Sequence, residues 1–139
     1  MTTKQLAAGY YRKCRDRMAA LRVLEEREAW SDVVRESQEI VELALKGVLR
    51  AVGIDPPKWH DVGGLLLEHR GKVSTLPEEE AVFLAEASKR LRKEREFSFY
   101  GDVDFIPTEE YGPDEGRYAF ESARRATEAL GEMLRSLEE

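Results

Sequence analysis

The 139 residues fit one domain spanning 1–139, since domains commonly hold roughly 100–200 residues. A hydrophobic share of 42% excludes wholesale disorder, and no apolar run approaches the roughly 18 residues that a membrane span needs. Lys and Arg number 22 against 28 Asp and Glu, a net charge of −6, which argues against a surface built to coat duplex nucleic acid while leaving room for a local basic patch.

The single cysteine, Cys14, excludes an internal disulfide and a multi-cysteine zinc site. No apolar segment follows Met1 in the manner of a secretory signal, so the expectation is a cytoplasmic chain without a membrane anchor. Asparagine is absent, Gln5 and Gln38 are the only glutamines, and 36% of residues are charged. Few thermolabile amides with abundant charge is the composition of a thermophile protein; GC-rich codon usage produces the same bias.

Apolar spacing predicts five helices and no strand. Ala7, Tyr11, Cys14, Met18, Leu21 and Leu24 step by four and three, drawing one stripe along a helix from about Thr3 to Glu26. A second helix runs from Trp30 or Ser31 to Val52. Its stripe of Val33, Val34, Ile40, Val41, Ala44, Leu45, Val48 and Val52 is wide enough for burial on more than one side. Gly53 stops it and Asp55-Pro56-Pro57 forbids continuation.

A short third helix is expected from Asp61, as N-cap, to His69, with Gly71 as its stop. Leu76-Pro77-Glu78-Glu79-Glu80 opens the fourth, where proline suits the first turn and the glutamates complement the helix dipole. Phe83 or Leu84, with Ala87 and Leu91, carries its core stripe. Lys89, Arg90, Arg92, Lys93 and Arg95 crowd its other end. From Phe97 to Pro113 the pattern breaks in a long aromatic-rich connection, expected to be packed down. Ala119, Ala123, Ala126, Leu130, Met133 and Leu137 then mark a fifth helix. The fold class is all-α, an up-and-down bundle of about five helices.

Enzyme signatures are missing. Gly63-Gly64 is no phosphate-cradling loop. His60 and His69 lie nine residues apart, about 13 Å along a helix axis and on opposed faces, which disfavours joint metal ligation; His60 reads as a polar anchor and His69 as a partner for helix-terminal carbonyls. No metal ligands and no cofactor are expected. Cys14 reads as core, and Trp59 as a lid on the bundle end. The informative segment is Arg90-Leu-Arg-Lys-Glu-Arg95-Glu-Phe-Ser-Phe-Tyr100-Gly-Asp102. Between Lys89 and Arg95, five cations face Glu94 alone, a net +4 in an acidic chain. Such a cluster beside aromatic rings suits a phosphate and a stacked base; it equally suits a helix end whose cations answer its own carbonyls and nearby acids.

Four pieces occur in order: Ser37-Gln-Glu-Ile-Val-Glu-Leu-Ala-Leu-Lys-Gly-Val-Leu49, His60-Asp-Val-Gly-Gly-Leu-Leu, Arg95-Glu-Phe-Ser-Phe-Tyr-Gly101 and the Ala-rich last helix. In this order the chain resembles the HEPN (higher eukaryotes and prokaryotes nucleotide-binding) family from about residue 5 to 137. The resemblance implies a helical bundle that commonly forms homodimers. Many members are metal-independent endoribonucleases with an Arg, four to six residues, then His. Some are toxins neutralised by a small partner nucleotidyltransferase; others only bind nucleotide, RNA or a protein.

Carried onto this chain, the arginine of that motif is Arg95, and Tyr100 stands in the histidine slot. Imidazole, with a pKa of about 6.5, serves as acid and base at neutral pH; a phenol, ordinarily near about 10, keeps its proton there. A phenol still donates a hydrogen bond to phosphate, and Arg95 still offsets charge. Arg92 would add to the field. Some partner transferases modify a tyrosine just behind the histidine; Asp102 holds that position here, which makes Tyr100 the candidate acceptor. The resulting expectation is a dimeric nucleotide- or partner-binding module, with Arg92, Arg95, Tyr100 and Asp102 as ligand-binding residues, in a toxin–antitoxin-like pair with a nucleotidyltransferase. The alternatives are an endoribonuclease toxin using Arg95 and Tyr100 as catalytic residues, and a purely structural dimeric protein.

Overall fold

The computed structural model describes residues 3–56, 58 and 61–138. Its helices are α1 (Thr3–Glu26), α2 (Trp30–Ala51), α3 (Val62–Glu68), α4 (Glu78–Phe99), the single-turn α5 (Pro107–Glu110) and α6 (Pro113–Ser136), with a 3-10 turn at Arg70–Lys72. The expected all-α bundle is therefore observed, and among the described residues there is no strand. The readings of Trp59 and His60 fall outside the described residues.

Cross-helix contacts give the topology. Cys14 and Arg17 of α1 meet Ile40 and Glu36 of α2, so residue numbers rise on one helix as they fall on the other. Arg92 and Arg95 of α4 meet Glu42 and Glu39 of α2 in the same antiparallel sense. Glu80 and Arg90 of α4 meet Arg125 and Tyr118 of α6, and Lys4 of α1 reaches the Leu137 carbonyl at 3.5 Å. The four long helices thus run up, down, up and down. α2 and α6 are parallel to each other, consistent with Trp30 lying over Gly116 and Leu130 over Gly47.

α2 is the central element, packed against α1, α4 and α6. Val33, Val34, Ile40, Val41, Ala44, Leu45, Val48 and Leu49 are no more than 1% exposed. The wide apolar stripe is thereby covered within the chain and leaves no free apolar face on α2 for a second copy. On α1, Ala7, Cys14, Met18 and Leu21 are buried as expected. Burial pushes the Cys14 thiol up from 9.0 to about 12, which keeps it a protonated, unreactive core group. On α4 it is Leu84, with Ala81, Ala87 and Leu91, that enters the core, while Phe83 packs against it from the side.

Three boundaries differ from the sequence expectation. α4 runs through Phe97 to Phe99, because Glu96-Phe97-Ser98-Phe99 contains no helix breaker and Ser98 donates to the Arg95 carbonyl at 3.0 Å. The basic cluster therefore lies a turn short of the terminal carbonyls and has no basic residue in the last turn. The stop is Gly101, at φ +72, where an added Cβ would fall 2.3 Å from the Phe105 carbonyl oxygen. That close approach lets Asp102 and Phe105 exchange backbone hydrogen bonds of 3.0 Å. The long connection shrinks further because α5 and an earlier start of α6, at Pro113, occupy its second half. Only part of it is packed down: Tyr111 is buried and Phe105 abuts the core, whereas Phe97, Phe99 and Tyr100 are exposed. At α3, Asp61 caps as expected by accepting from Gly63 N at 3.1 Å. Gly71 sits inside the 3-10 turn, and His69 rather than Gly71 follows the helix.

The Gly63-Gly64 pair acquires a packing explanation. A Cβ on Gly63 would lie 2.8 Å from the Ala85 backbone, so glycine here permits α3 to touch α4, whereas a Cβ on Gly64 would meet only the Asp61 side chain at 3.4 Å. Gly63→Ala is expected to destabilise by about 1–3 kcal/mol through overpacking. Gly64→Ala is expected to be neutral or stabilising by up to about 1 kcal/mol through helix propensity. Urea denaturation of the two variants checks the contrast.

Candidate functional site

The solvent side of α2 carries Arg35, Glu36, Glu39, Glu42 and Lys46, the strip left over once its other sides are covered. α1 and α4 flank this strip and send cations onto it. Arg17 of α1 donates to Glu36 at 3.0 Å and to Glu39 at 2.8 Å. From α4, Arg92 donates to Glu42 at 3.1 Å and Arg95 to Glu39 at 3.5 Å. Within α2, Arg35 approaches Glu39 at 3.7 Å and Lys46 approaches Glu42 at 3.8 Å. The hydrogen bond to Glu39, reinforced by the nearby carboxylates, raises the Arg17 pKa against the opposing effect of burial.

On the far side of this arginine wall a hollow of about 420 Å³ opens, lined by Arg35, Arg92, Lys93, Arg95, Phe97 and Tyr100. Four cations and two aromatic rings face it, with no carboxylate among the described lining residues. The Arg35 guanidinium stacks 4.3 Å over the Phe99 ring, and Phe99 meets Tyr100 edge-on at 4.7 Å. Tyr100 is 75% exposed. Phe97 joins an edge-contact chain through Phe105 to Tyr111, and the Tyr111 hydroxyl donates to Glu94 at 2.5 Å. Burial and that carboxylate hold the Tyr111 phenol well above its ordinary range. The ring chain thus fixes the floor beside the hollow.

Of the sequence-derived candidates, Arg92, Arg95 and Tyr100 come together here. Asp102 does not: its side chain accepts from Val103 N at 2.7 Å and its backbone pairs with Phe105, so it shapes the turn after α4. Of the basic cluster, Arg92 and Arg95 answer carboxylates on α2 and Arg90 lies over the Tyr118 ring, so nearby acids answer part of the cluster, as expected. Arg35, Glu39 and Glu42 were missed. The available signal was an acidic ladder at 36, 39 and 42 on an otherwise apolar helix, facing an α1 that carries six cations against three carboxylates.

A second hollow of about 420 Å³ lies between the start of α4 and α6, but its cations are tightly clasped. Arg125 holds Glu80 with bonds of 2.7 and 2.6 Å, and Arg124 holds both Glu121 and Glu128. An anion there must displace carboxylates from short contacts, whereas Arg95 and Arg35 in the first hollow are held only loosely. The first hollow is accordingly the better anion site. Among the described residues no group of three or more His, Cys, Asp or Glu is arranged to hold a metal ion, and no helix is long and apolar enough to cross a membrane.

Comparison with known families decides the lineage: the HEPN domain profile matches residues 7–137, nearly the whole chain. The chain belongs to the HEPN domain family. Among curated proteins and among solved structures, none matches it. HEPN domains commonly dimerise and bind RNA or nucleotides, and membership marks the chain as a nucleotide- or RNA-related module. In this HEPN domain the Arg95 side chain is 49% exposed and its carboxylate contact is long. Such pairs contribute about 0–1 kcal/mol. Arg95→Ala is therefore expected to shift thermal or urea stability by no more than about 1 kcal/mol, so any loss of ligand binding in the variant reports the site and not the fold.

Proposed function

We propose that this HEPN domain binds a phosphate-bearing nucleotide ligand in the hollow between α2 and the end of α4, without efficient ribonuclease chemistry. The observation that carries the reading is the lining: Arg35, Arg92, Lys93 and Arg95 offer charge-assisted donors to phosphate, and the Phe97 and Tyr100 rings offer a stacking surface. Arg95 grips phosphate, Tyr100 stacks or donates its hydroxyl, and Arg92 adds field. The described lining offers guanidinium, ammonium, phenol and phenyl groups, a set better suited to holding phosphate than to moving a proton.

In this reading the module works with a small nucleotidyltransferase in a toxin–antitoxin-like pair, and the exposed Tyr100 hydroxyl is the group such an enzyme would modify. The second reading, a metal-independent endoribonuclease with an Arg-x4-Tyr motif, is favoured by one feature: Arg95 and Tyr100 line the same hollow. The experiment separating the two is ATP binding by calorimetry together with cleavage of single-stranded RNA in the absence of added metal, for wild type and Arg95→Ala. Binding reduced at least about tenfold in the variant, with RNA left intact by both proteins, is the expected result. Cleavage by wild type alone makes the protein a ribonuclease, and identical ATP binding by both proteins removes Arg95 from the site.

A homodimer is part of the proposal. Phe99, Val103 and Ile106 are 48%, 92% and 52% exposed and lie close together in sequence around the end of α4, an apolar stretch that a second copy would cover while Phe97 and Tyr100 stay with the hollow. Light scattering is expected to return about twice the 15.9 kDa of one chain, falling toward one chain in Val103→Asp. A wild-type mass of a single chain across micromolar concentrations refutes the dimer.

A further inference from the structure

The two oxygens of Glu39 are unequally shared. Oε2 takes Arg17 at 2.8 Å, within the range of a strong charge-assisted bond. Oε1 is approached by Arg95 at 3.5 Å and by Arg35 at 3.7 Å, both beyond that range. Arg17 is itself bracketed, since the same Nη1 reaches Glu36 at 3.0 Å. It comes from α1 and does not line the anion hollow. It lines a neighbouring space of about 240 Å³ together with Lys13, Glu39, Glu42, Lys46 and Arg95, and of these cations only Arg95 also lines the anion hollow.

The Glu39 side chain is 24% exposed, and a partly buried carboxylate that loses one cation is stabilised by drawing closer to the others within reach. With Arg17 in place the closest cation comes from α1. Without it, the nearest are Arg95 and Arg35, two of the four cations on which the hollow depends. We propose that Arg17 is a positioning residue for the anion site: by clasping Glu39 from α1, it keeps that carboxylate from claiming Arg35 and Arg95 and leaves both free to turn toward phosphate. The proposal rests on the reading of the hollow as a nucleotide site, and it assigns the first helix a role in a site to which it contributes no lining residue.

The test is a double-variant cycle read with ATP. Arg17→Met is expected to weaken ATP binding about three- to tenfold, Glu39→Gln to bind at least as well as wild type, and the double variant to return to the Glu39→Gln level. Melting temperatures of all three check that the bundle is intact. Wild-type affinity in Arg17→Met overturns the proposal. So does the same fold-loss in the Glu39→Gln background, because Arg17 would then act on the ligand directly. A ligand-free readout separates this from failure of the nucleotide reading: rotation of the Arg35 and Arg95 guanidinium groups, followed by NMR. Slower rotation in Arg17→Met, relieved in the double variant, supports the proposal even if wild type binds no ATP. Unchanged rotation overturns it.

Discussion

Covering α2 on several sides is the constraint from which the other arrangements follow. A helix wrapped by α1, α4 and α6 keeps one narrow strip for its polar residues, and on this chain the strip holds Glu36, Glu39 and Glu42. Carboxylates confined between two neighbouring helices cannot all be satisfied by water, so they select what those neighbours present. α1 answers with Arg17 and α4 with Arg92 and Arg95. Arg17, Arg92 and Arg95, from two different helices, are thus gathered at one place by the carboxylates of α2. These half-exposed pairs follow the register that the apolar packing of α4 against α2 already sets.

Much of this was legible from apolar spacing. The stripes on α1, α2 and α6 are long, regular and free of breakers, and a periodic signal of that kind is the most dependable one a sequence offers. The site was legible only in its local half. Arg92 and Arg95 share a face of α4 at i,i+3, so their proximity follows from spacing, whereas Tyr100 stands one residue past the helix end. Arg35 reaches the same hollow from α2 through a stack on Phe99, a tertiary contact that no local pattern encodes. Gly101, Pro107, Gly112 and Pro113 among the aromatics read as a break beginning at Phe97, whereas α4 continues to Phe99. Phenylalanine tolerates a helix well enough, and the true punctuation was Gly101, whose positive φ and missing Cβ the turn requires. The extension has a chemical consequence: with α4 reaching Phe99, Arg92 and Arg95 lie along its flank and meet α2 carboxylates, while Arg90 meets Tyr118 of α6.

In the proposed reading, with Tyr100 in the slot where the resemblance implies a histidine, the site's chemistry is limited to what its lining supplies. An arginine cluster stabilises negative charge whether the ligand is a ground-state phosphate or a developing transition state. Acceleration requires a group that moves a proton in step with the chemistry, and binding alone does not supply it. The described lining of this hollow offers guanidinium, ammonium, phenol and phenyl groups. That set gives strong attraction for phosphate and a surface for a base, with one hydroxyl left exposed at its edge. Under the proposal, such a lining is suited to hold a nucleotide, or to offer Tyr100 to an enzyme that carries one. Both roles draw on the same guanidinium groups, and both depend on how tightly Glu39 holds them back.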